Sequence, residues 1–297
     1  NLTVLPTGAA LDDVLVEWET QTPGATYEVE YSVNGADYVL RTTTAADATS
    51  YTHTNPTLGE ATHYYRIRAT NGVSESAWVT ASLMGWKLAV RAYWKLNEAS
   101  GNRADSVGTS TATDNNTVGS TTGVQGNAAR FIAANSEYLE VAANPIINLG
   151  NAAYTWAFWV YRASGMGGQE GLLGKWGGAS TDYTFKLLSD GRIRAQLYRG
   201  GDVTLITTAT ITFDDWNLVV IQHDATAHLL KISINANTAE TTATGGNLDA
   251  AGGEPLSIGA SEGLLGTTDQ DEIALALRVW SDAEIDSFYN NGNGTTY

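Results

Sequence analysis

The sequence predicts an all-β protein built from two β-sandwiches in series. Three observations lead to this fold class: apolar and polar residues alternate in many short runs, Gly and Asn separate those runs, and Thr, Tyr and Trp are abundant. The chain has 297 residues, of which 43% are hydrophobic, so it is long enough for one large domain or two ordinary ones.

Short strands at regular spacing fill the N-terminal part. Residues 27–33 alternate between apolar and polar side chains, and the dipeptide Asn34-Gly35 that follows suits a tight hairpin turn. About seven such strands in this part of the chain predict a small sandwich over residues 1–84.

Leu58, and Tyr64 six residues later, resemble the corner between two strands of a fibronectin type III domain. In that family a tyrosine hydroxyl at this position bonds to the backbone near the corner. Trp18 matches the family's core tryptophan, whereas Glu60-Ala61 replaces the usual Pro-Gly. The resemblance implies a seven-stranded fibronectin type III-like domain over residues 1–84, followed by a short junction over residues 85–90.

Residues 91–297 predict a second, larger sandwich. Four segments resemble, in order, landmarks of the laminin-G-like, concanavalin A-like jelly roll. They are residues 92–106, 156–160, 216–224 and 271–280. The resemblance implies one jelly-roll domain over residues 91–297. Tryptophans at alternating strand positions are predicted to lie in the two cores: Trp18, Trp94, Trp156, Trp159, Trp216 and Trp280.

One helix is predicted near the end of the chain. Ser281 and Glu284 form a capping box, in which each side chain accepts a hydrogen bond from the other residue's backbone N–H. Asn291-Gly292 is expected to end the helix, because both residue types tolerate the left-handed conformation.

Composition excludes several classes of partner and chemistry. The net charge of −16 disfavours nucleic acid and anionic membranes. The absence of Cys excludes disulfides, Cys-ligated zinc and a thiol nucleophile. No apolar run reaches the length of a membrane span. The chain begins at Asn1 without a signal-peptide pattern, so a processed or trimmed chain is expected.

The sequence does not predict an enzyme. Glycosidases use two carboxylates that flank one sugar linkage. The nearest candidate is the run 269–272, and no third carboxylate follows it at the spacing of the glycosidases on this fold. The four histidines lie in no metal-type or nucleophile pattern.

The jelly-roll resemblance implies a structural calcium ion. Glu98 and Asp105 in the opening loop are expected to meet Asp271 and Glu272 in the closing strand, because calcium takes six to eight oxygen ligands. The alternative is that Asp105 and Asp271 only accept backbone hydrogen bonds and brace loops.

An aromatic and basic patch is the candidate ligand site. Trp176 lies in a Gly-flanked turn, and Tyr183, Arg194, Tyr198 and Arg199 lie on the next hairpin. Aromatic rings pack against the C–H face of a sugar ring, and polar groups bind its hydroxyls. The alternative is that Trp176 caps the core and the arginines pair with surplus carboxylates.

The predicted function is non-catalytic adhesion or display on a virion surface or outside the cell. Residues 96–101 and 135–139 resemble phage structural proteins of the tail, fibre or capsid decoration that carry this jelly roll. The expected partners are cell-surface glycans or other virion and surface proteins. A further expected partner is a second copy of this chain, in a homo-oligomer. Two alternatives stay open: accessory domains of a secreted bacterial carbohydrate-active protein, and a purely structural assembly protein.

Overall fold

A computed structural model shows a structure that is almost entirely β-sheet, as the sequence predicts. It describes residues 1–20, 23–177, 181–198, 202–245 and 252–297. The chain divides into two compact units. The first comprises Asn1–Ala89 and Trp280–Ser287, and the second comprises Val90–Val279 and Phe288–Tyr297. The first unit therefore contains a C-terminal segment that the sequence patterns place in the second sandwich.

The described residues of the first unit form seven strands in two antiparallel sheets. They are β1 (Leu2–Thr7), β2 (Asp13–Trp18), β3 (Thr26–Ser32), β4 (Val39–Thr43), β5 (Ser50–His53), β6 (Thr62–Thr70) and β7 (Val79–Met84). The strand orders are β1-β2-β5 and β4-β3-β6-β7. The alternating side chains of β3 form part of the core, where the rings of Trp18 and Tyr27 lie 5.3 Å apart.

The inward-facing tyrosine of β6 is Tyr65 and not Tyr64. His63, Tyr65 and Ile67 are buried, so strand alternation places Tyr64 on the opposite face, where it is partly exposed. The Tyr65 hydroxyl lies 2.8 Å from Nδ1 of His53, a side chain rather than the backbone. The expectation that the Tyr64 hydroxyl bonds to the backbone near the corner is therefore wrong: Tyr64 lies on the outer face of β6, and among the described residues its hydroxyl forms no hydrogen bond.

The second unit contains strands β8 to β24. Their bounds are β8 (Val90–Trp94), β9 (Ala112–Asn115), β10 (Gly119–Thr122), β11 (Asn127–Arg130), β12 (Tyr138–Val141), β13 (Tyr154–Tyr161), β14 (Glu170–Lys175), β15 (Tyr183–Leu187), β16 (Arg192–Leu197), β17 (Val203–Thr210), β18 (Trp216–Asp224), β19 (Leu229–Ile234), β20 (Glu240–Ala243), β21 (Leu256–Ile258), β22 (Ala260–Ser261), β23 (Leu264–Leu265) and β24 (Asp269–Ala276).

Two large antiparallel sheets form the jelly roll. The eight-stranded sheet has the order β10-β11-β24-β13-β18-β19-β20, with β8 also paired to β24. The seven-stranded sheet has the order β17-β16-β15-β14-β21-β12-β9. Apolar side chains of both sheets form one core, in which the rings of Trp94 and Trp156 stack 6.3 Å apart. Trp216 differs from the prediction: it is partly exposed and packs on Tyr161.

The predicted helix is α1 (Asp282–Tyr289), and its capping box is confirmed. The Ser281 N–H donates to Glu284 Oε2 at 2.9 Å, and the Glu284 N–H donates to Ser281 Oγ at 3.2 Å. Asn291 and Gly292 adopt φ of +53° and +86° shortly after the helix ends. Among the described residues, none of the helices combines the length and apolar character needed to cross a membrane.

Candidate functional site

A cavity of about 350 Å³ lies on the outer side of the seven-stranded sheet. Leu139 and Val141 of β12 point into the core, so strand alternation turns Tyr138 and Glu140 to the other side. In strand β21, Leu256 and Ile258 are buried, so Ser257 between them also points to the outer side. Together with Gly174, Trp176 and the hairpin formed by β22 and β23, these residues line the cavity.

The hairpin of β22 and β23 lies against the backbone of β14. Gly171 and Gly174 of β14 provide the space: a Cβ on Gly171 would collide with the Leu264 carbonyl oxygen, and one on Gly174 would lie 2.7 Å from Ser261 Oγ. The two residues of the hairpin turn, Glu262 and Gly263, have φ of +50° and +71°, as a type I′ turn requires. Glu262 thus adopts a conformation that costs about 1 kcal/mol or more for a residue with a Cβ.

Four side chains hold the Glu262 carboxylate. Thr184 Oγ1 donates to it at 2.7 Å, Lys186 Nζ and the Tyr198 hydroxyl also donate, and Arg194 lies 3.6 Å away. Desolvation acts to raise the pKa of Glu262, but hydrogen bonds from Lys186, Tyr198 and Thr184 outweigh it and lower the pKa to about 2. Glu262 is therefore ionised near neutral pH, and it is fixed in place despite its strained backbone.

Trp176 supplies an exposed aromatic face at this cavity. It follows the last residue of β14, and 45% of its surface is exposed. The far edge of its ring approaches Gly263, where an added Cβ would lie 3.7 Å away. The hairpin thus supports the indole ring and leaves much of it open to solvent.

The structure brings only some of the five predicted ligand-binding residues to the cavity. Arg194 and Tyr198 reach Glu262 beside the cavity that Trp176 lines, whereas Arg199 lies outside the described residues. Tyr183 is only 1% exposed, because it is an inward-facing residue of β15. It packs in the core, so the prediction that Tyr183 binds a ligand is wrong.

Five other residues at or beside the cavity were not predicted from the sequence: Glu140, Thr184, Lys186, Ser257 and Glu262. Thr184 and Lys186 alternate with the core residues of β15, and that alternation is visible in the sequence. Glu262 carries no such signal, because its role depends on a hairpin that folds back across β14. Glu140 and Ser257 become neighbours only through the pairing of β12 with β21.

The residues predicted to bind calcium accept hydrogen bonds from the protein itself. The Glu98 carboxylate accepts the Ala104 N–H at 2.8 Å. The Asp105 carboxylate accepts four backbone N–H groups and the Asp271 carboxylate accepts three. The donors are Tyr93, Val107, Gly108 and Ser110 for Asp105, and Val124, Gln125 and Glu272 for Asp271. Within the described part of the chain, no three acidic or histidine side chains are grouped to hold a metal ion.

Asp271 and Glu272 are buried under the C-terminal residues of the second unit. The Tyr93 hydroxyl donates to Glu272, and the Tyr297 ring packs on Tyr93 at 5.5 Å. Burial raises the pKa of Asp271 to about 7 and that of Glu272 to about 8. Both residues are fully inaccessible to solvent, so this acid pair cannot meet a substrate.

A family model described as the concanavalin A-like lectin/glucanases superfamily matches residues 133–286, just over half of the chain. The chain belongs to this superfamily. No curated protein matches the sequence of this concanavalin A-like chain.

Solved structures share the fold at low sequence identity. The binding domain of Paraclostridial Mosquitocidal Protein 1 is 15% identical, with a TM-score of 0.57, and the match covers 69% of this chain and 53% of that one. The binding domain of botulinum neurotoxin serotype D is 11% identical, with a TM-score of 0.54 and coverage of 68% and 51%. This concanavalin A-like chain thus spans about half the length of these toxin domains.

A third structure is matched over nearly its whole length. It is domain 4 of AbnA, a GH43 extracellular arabinanase from Geobacillus stearothermophilus, solved in complex with arabinotriose. It is 14% identical, with a TM-score of 0.53, and the match covers 69% of this chain and 98% of that one. At these identities the matches show a shared fold.

Proposed function

We propose that this protein binds glycans without catalysis, and that the ligand occupies the cavity beside Trp176. The observation that carries the proposal is a half-exposed indole ring at a cavity that also presents hydroxyl and carboxylate groups. An indole face packs on the C–H face of a sugar ring, while polar groups fix its hydroxyls. The arabinotriose complex of AbnA domain 4 supports a saccharide ligand on this fold.

The pKa values of Glu262, Asp271 and Glu272 support binding without hydrolysis. A glycosidase needs one carboxyl group whose raised pKa keeps it protonated beside the bond that breaks. At the cavity, hydrogen bonds to Glu262 lower its pKa to about 2, so it cannot serve as this acid. Asp271 and Glu272, whose pKa is raised, are buried away from solvent.

We further propose that the protein acts outside the cell or on a virion surface. In this view the first unit is a fibronectin type III-like spacer or anchor. Its seven strands in sheets of three and four support that assignment. The extracellular arabinanase among the structural matches supports an extracellular setting. Identifying the source particle or the full-length gene product would test the virion assignment.

A glycan array followed by titration calorimetry tests the proposed site. We expect the protein to bind at least one glycan class, and Trp176→Ala to abolish that binding with little change in the melting temperature, because the ring is half exposed. Trp216→Phe is the matched control, since Trp216 is a partly exposed tryptophan of the eight-stranded sheet. An array on which the folded protein binds no glycan, or a Trp176→Ala variant that binds normally, would refute the proposal.

A further inference from the structure

The described charged side chains that line the cavity are both acidic. They are Glu140 and Glu262, together with neutral groups such as Ser257, Tyr138 and Trp176. We infer that the cavity selects uncharged saccharides and excludes glycans that carry carboxylate or sulfate groups. This inference rests on the proposed function, because it names the ligand class of the same site.

Glu140 presents a carboxylate that its protein neighbours do not neutralise. Its position in β12 places it opposite Thr113 on one side and Ser257 on the other, and neither carries charge. Among the described residues it forms no hydrogen bond or ion pair through its side chain, and it is partly exposed. A ligand in the cavity therefore meets this carboxylate directly.

The nearby cations are already engaged by Glu262. Lys186 Nζ donates to the Glu262 carboxylate, and only 6% of the Lys186 side chain is exposed. Moving Lys186 to an anionic ligand would break the closest ion pair of Glu262, whose side chain is only 15% exposed, and breaking such a pair is costly. Arg194 lies 3.6 Å from the same carboxylate, with 23% of its side chain exposed. Neither cation lines the cavity among the described residues, so an anionic group on a ligand meets the Glu140 carboxylate there, while both cations stay paired with Glu262.

The same groups suit hydroxyl-rich, uncharged ligands. A carboxylate accepts hydrogen bonds from sugar hydroxyls and needs no charge on its partner. Ser257 and Tyr138 contribute hydroxyls that can donate or accept. The net charge of −16 adds long-range repulsion of anions, which slows their association at low salt.

The inference is tested with matched glycan pairs on one array. Each neutral oligosaccharide is printed beside its sialylated, glucuronylated and sulfated forms, and affinities of bound pairs are measured by calorimetry. We expect each acidic form to bind at least about tenfold more weakly than its neutral parent at low salt, because like-charge contact disfavours complexes strongly. Raising the salt concentration is expected to narrow this difference, since ions screen exposed charges.

Glu140→Gln isolates the local charge. This variant keeps the size and the acceptor oxygen of the side chain, so we expect it to retain neutral ligands and to bind acidic forms several-fold better. Glu17→Gln makes the same change in net charge at an exposed residue of the first unit, and it should leave the selectivity unchanged.

Two outcomes would overturn the inference while leaving the proposed function intact. One is equal or tighter binding of the acidic forms, and the other is a Glu140→Gln variant with unaltered selectivity. If no glycan binds, or if Trp176→Ala binds as the parent does, the proposed function itself fails.

Discussion

The Ser281 hydroxyl donates a 2.6 Å hydrogen bond to the carbonyl oxygen of Gly59, 222 residues earlier in the chain. Both residues belong to the first compact unit. The same hydroxyl accepts the Glu284 N–H and so caps α1. Beside it, the ring centroids of Trp86 and Trp280 lie 5.9 Å apart, and both rings are buried. One side chain thus starts a helix and also attaches it to the first sandwich.

Replacing Ser281 by Ala removes both interactions. We expect Ser281→Ala to lower the free energy of unfolding by about 1–2 kcal/mol, because an N-cap alone contributes about 1 kcal/mol. Urea denaturation followed by tryptophan fluorescence measures the change, since Trp86 and Trp280 are nearby. Asp286→Ala, an exposed position of the same helix, is the control and should cost much less. Equal losses in the two variants would contradict the role of the cap.

Gly171 lets the hairpin of β22 and β23 lie on β14. Gly171→Ala would push its Cβ into the Leu264 carbonyl oxygen and the Ser261 nitrogen, both of which are backbone atoms. We expect a loss of about 1–3 kcal/mol from overpacking, together with weaker glycan binding, because the turn carries Glu262. Thermal unfolding and calorimetry measure the two effects. Gly167→Ala, whose Cβ would meet no atom within 4 Å, should leave both unchanged.

The sequence predicts the fold well because its signals are local. Alternation in β3, the apolar run of β13 and the capping box at Ser281 each depend on a few neighbouring residues, and the structure agrees with all three. The prediction for the tyrosine at the strand corner is wrong because a shift of one residue exchanges the two faces of a strand. That shift separates Tyr64 from Tyr65.

The site was only partly predictable because it depends on distant pairings. Trp176 was identified from its Gly-flanked turn, and the structure exposes it. Glu262, which lines the same cavity, lies 86 residues away in sequence and reaches the site through a hairpin that lies against β14. The charges of Glu262 and Lys186 are informative only once their contact is known.

Acid should destabilise the first unit through His53. Burial lowers the pKa of His53 to about 4, and the Arg41 charge adds to this while Asp13 opposes it. An unfolded His has a pKa of about 6.5. The neutral imidazole therefore contributes stability above pH 6.5 that is lost as the pH falls towards 4. His53→Gln should flatten this loss in urea titrations, whereas His228→Gln, at an exposed residue, should not.

Alkali should destabilise the second unit through Asp271 and Glu272. This pH dependence is opposite in sign to that of His53. Desolvation raises the pKa of Asp271 to about 7 and that of Glu272 to about 8, while backbone donors to Asp271 and the Tyr93 hydroxyl on Glu272 oppose this rise. The proton on each group therefore stabilises the fold at low pH. This stability is lost as the pH rises through the two folded-state pKa values. For each carboxyl group, a tenfold difference in acid dissociation constant between the folded and the unfolded chain changes the free energy of unfolding by about 1.4 kcal/mol.

The melting temperature of the second unit, measured by calorimetry from pH 5 to pH 9, checks this prediction. We expect it to fall across that range in the parent protein and to fall less in Glu272→Gln, which stays neutral and can still accept from Tyr93. Asp214→Asn is the control, because hydrogen bonds from Ser164 lower the pKa of Asp214, so that this carboxylate stays ionised throughout this pH range. A parent protein whose melting temperature rises from pH 6 to pH 9 would show that the two carboxyl groups ionise in the folded state without cost.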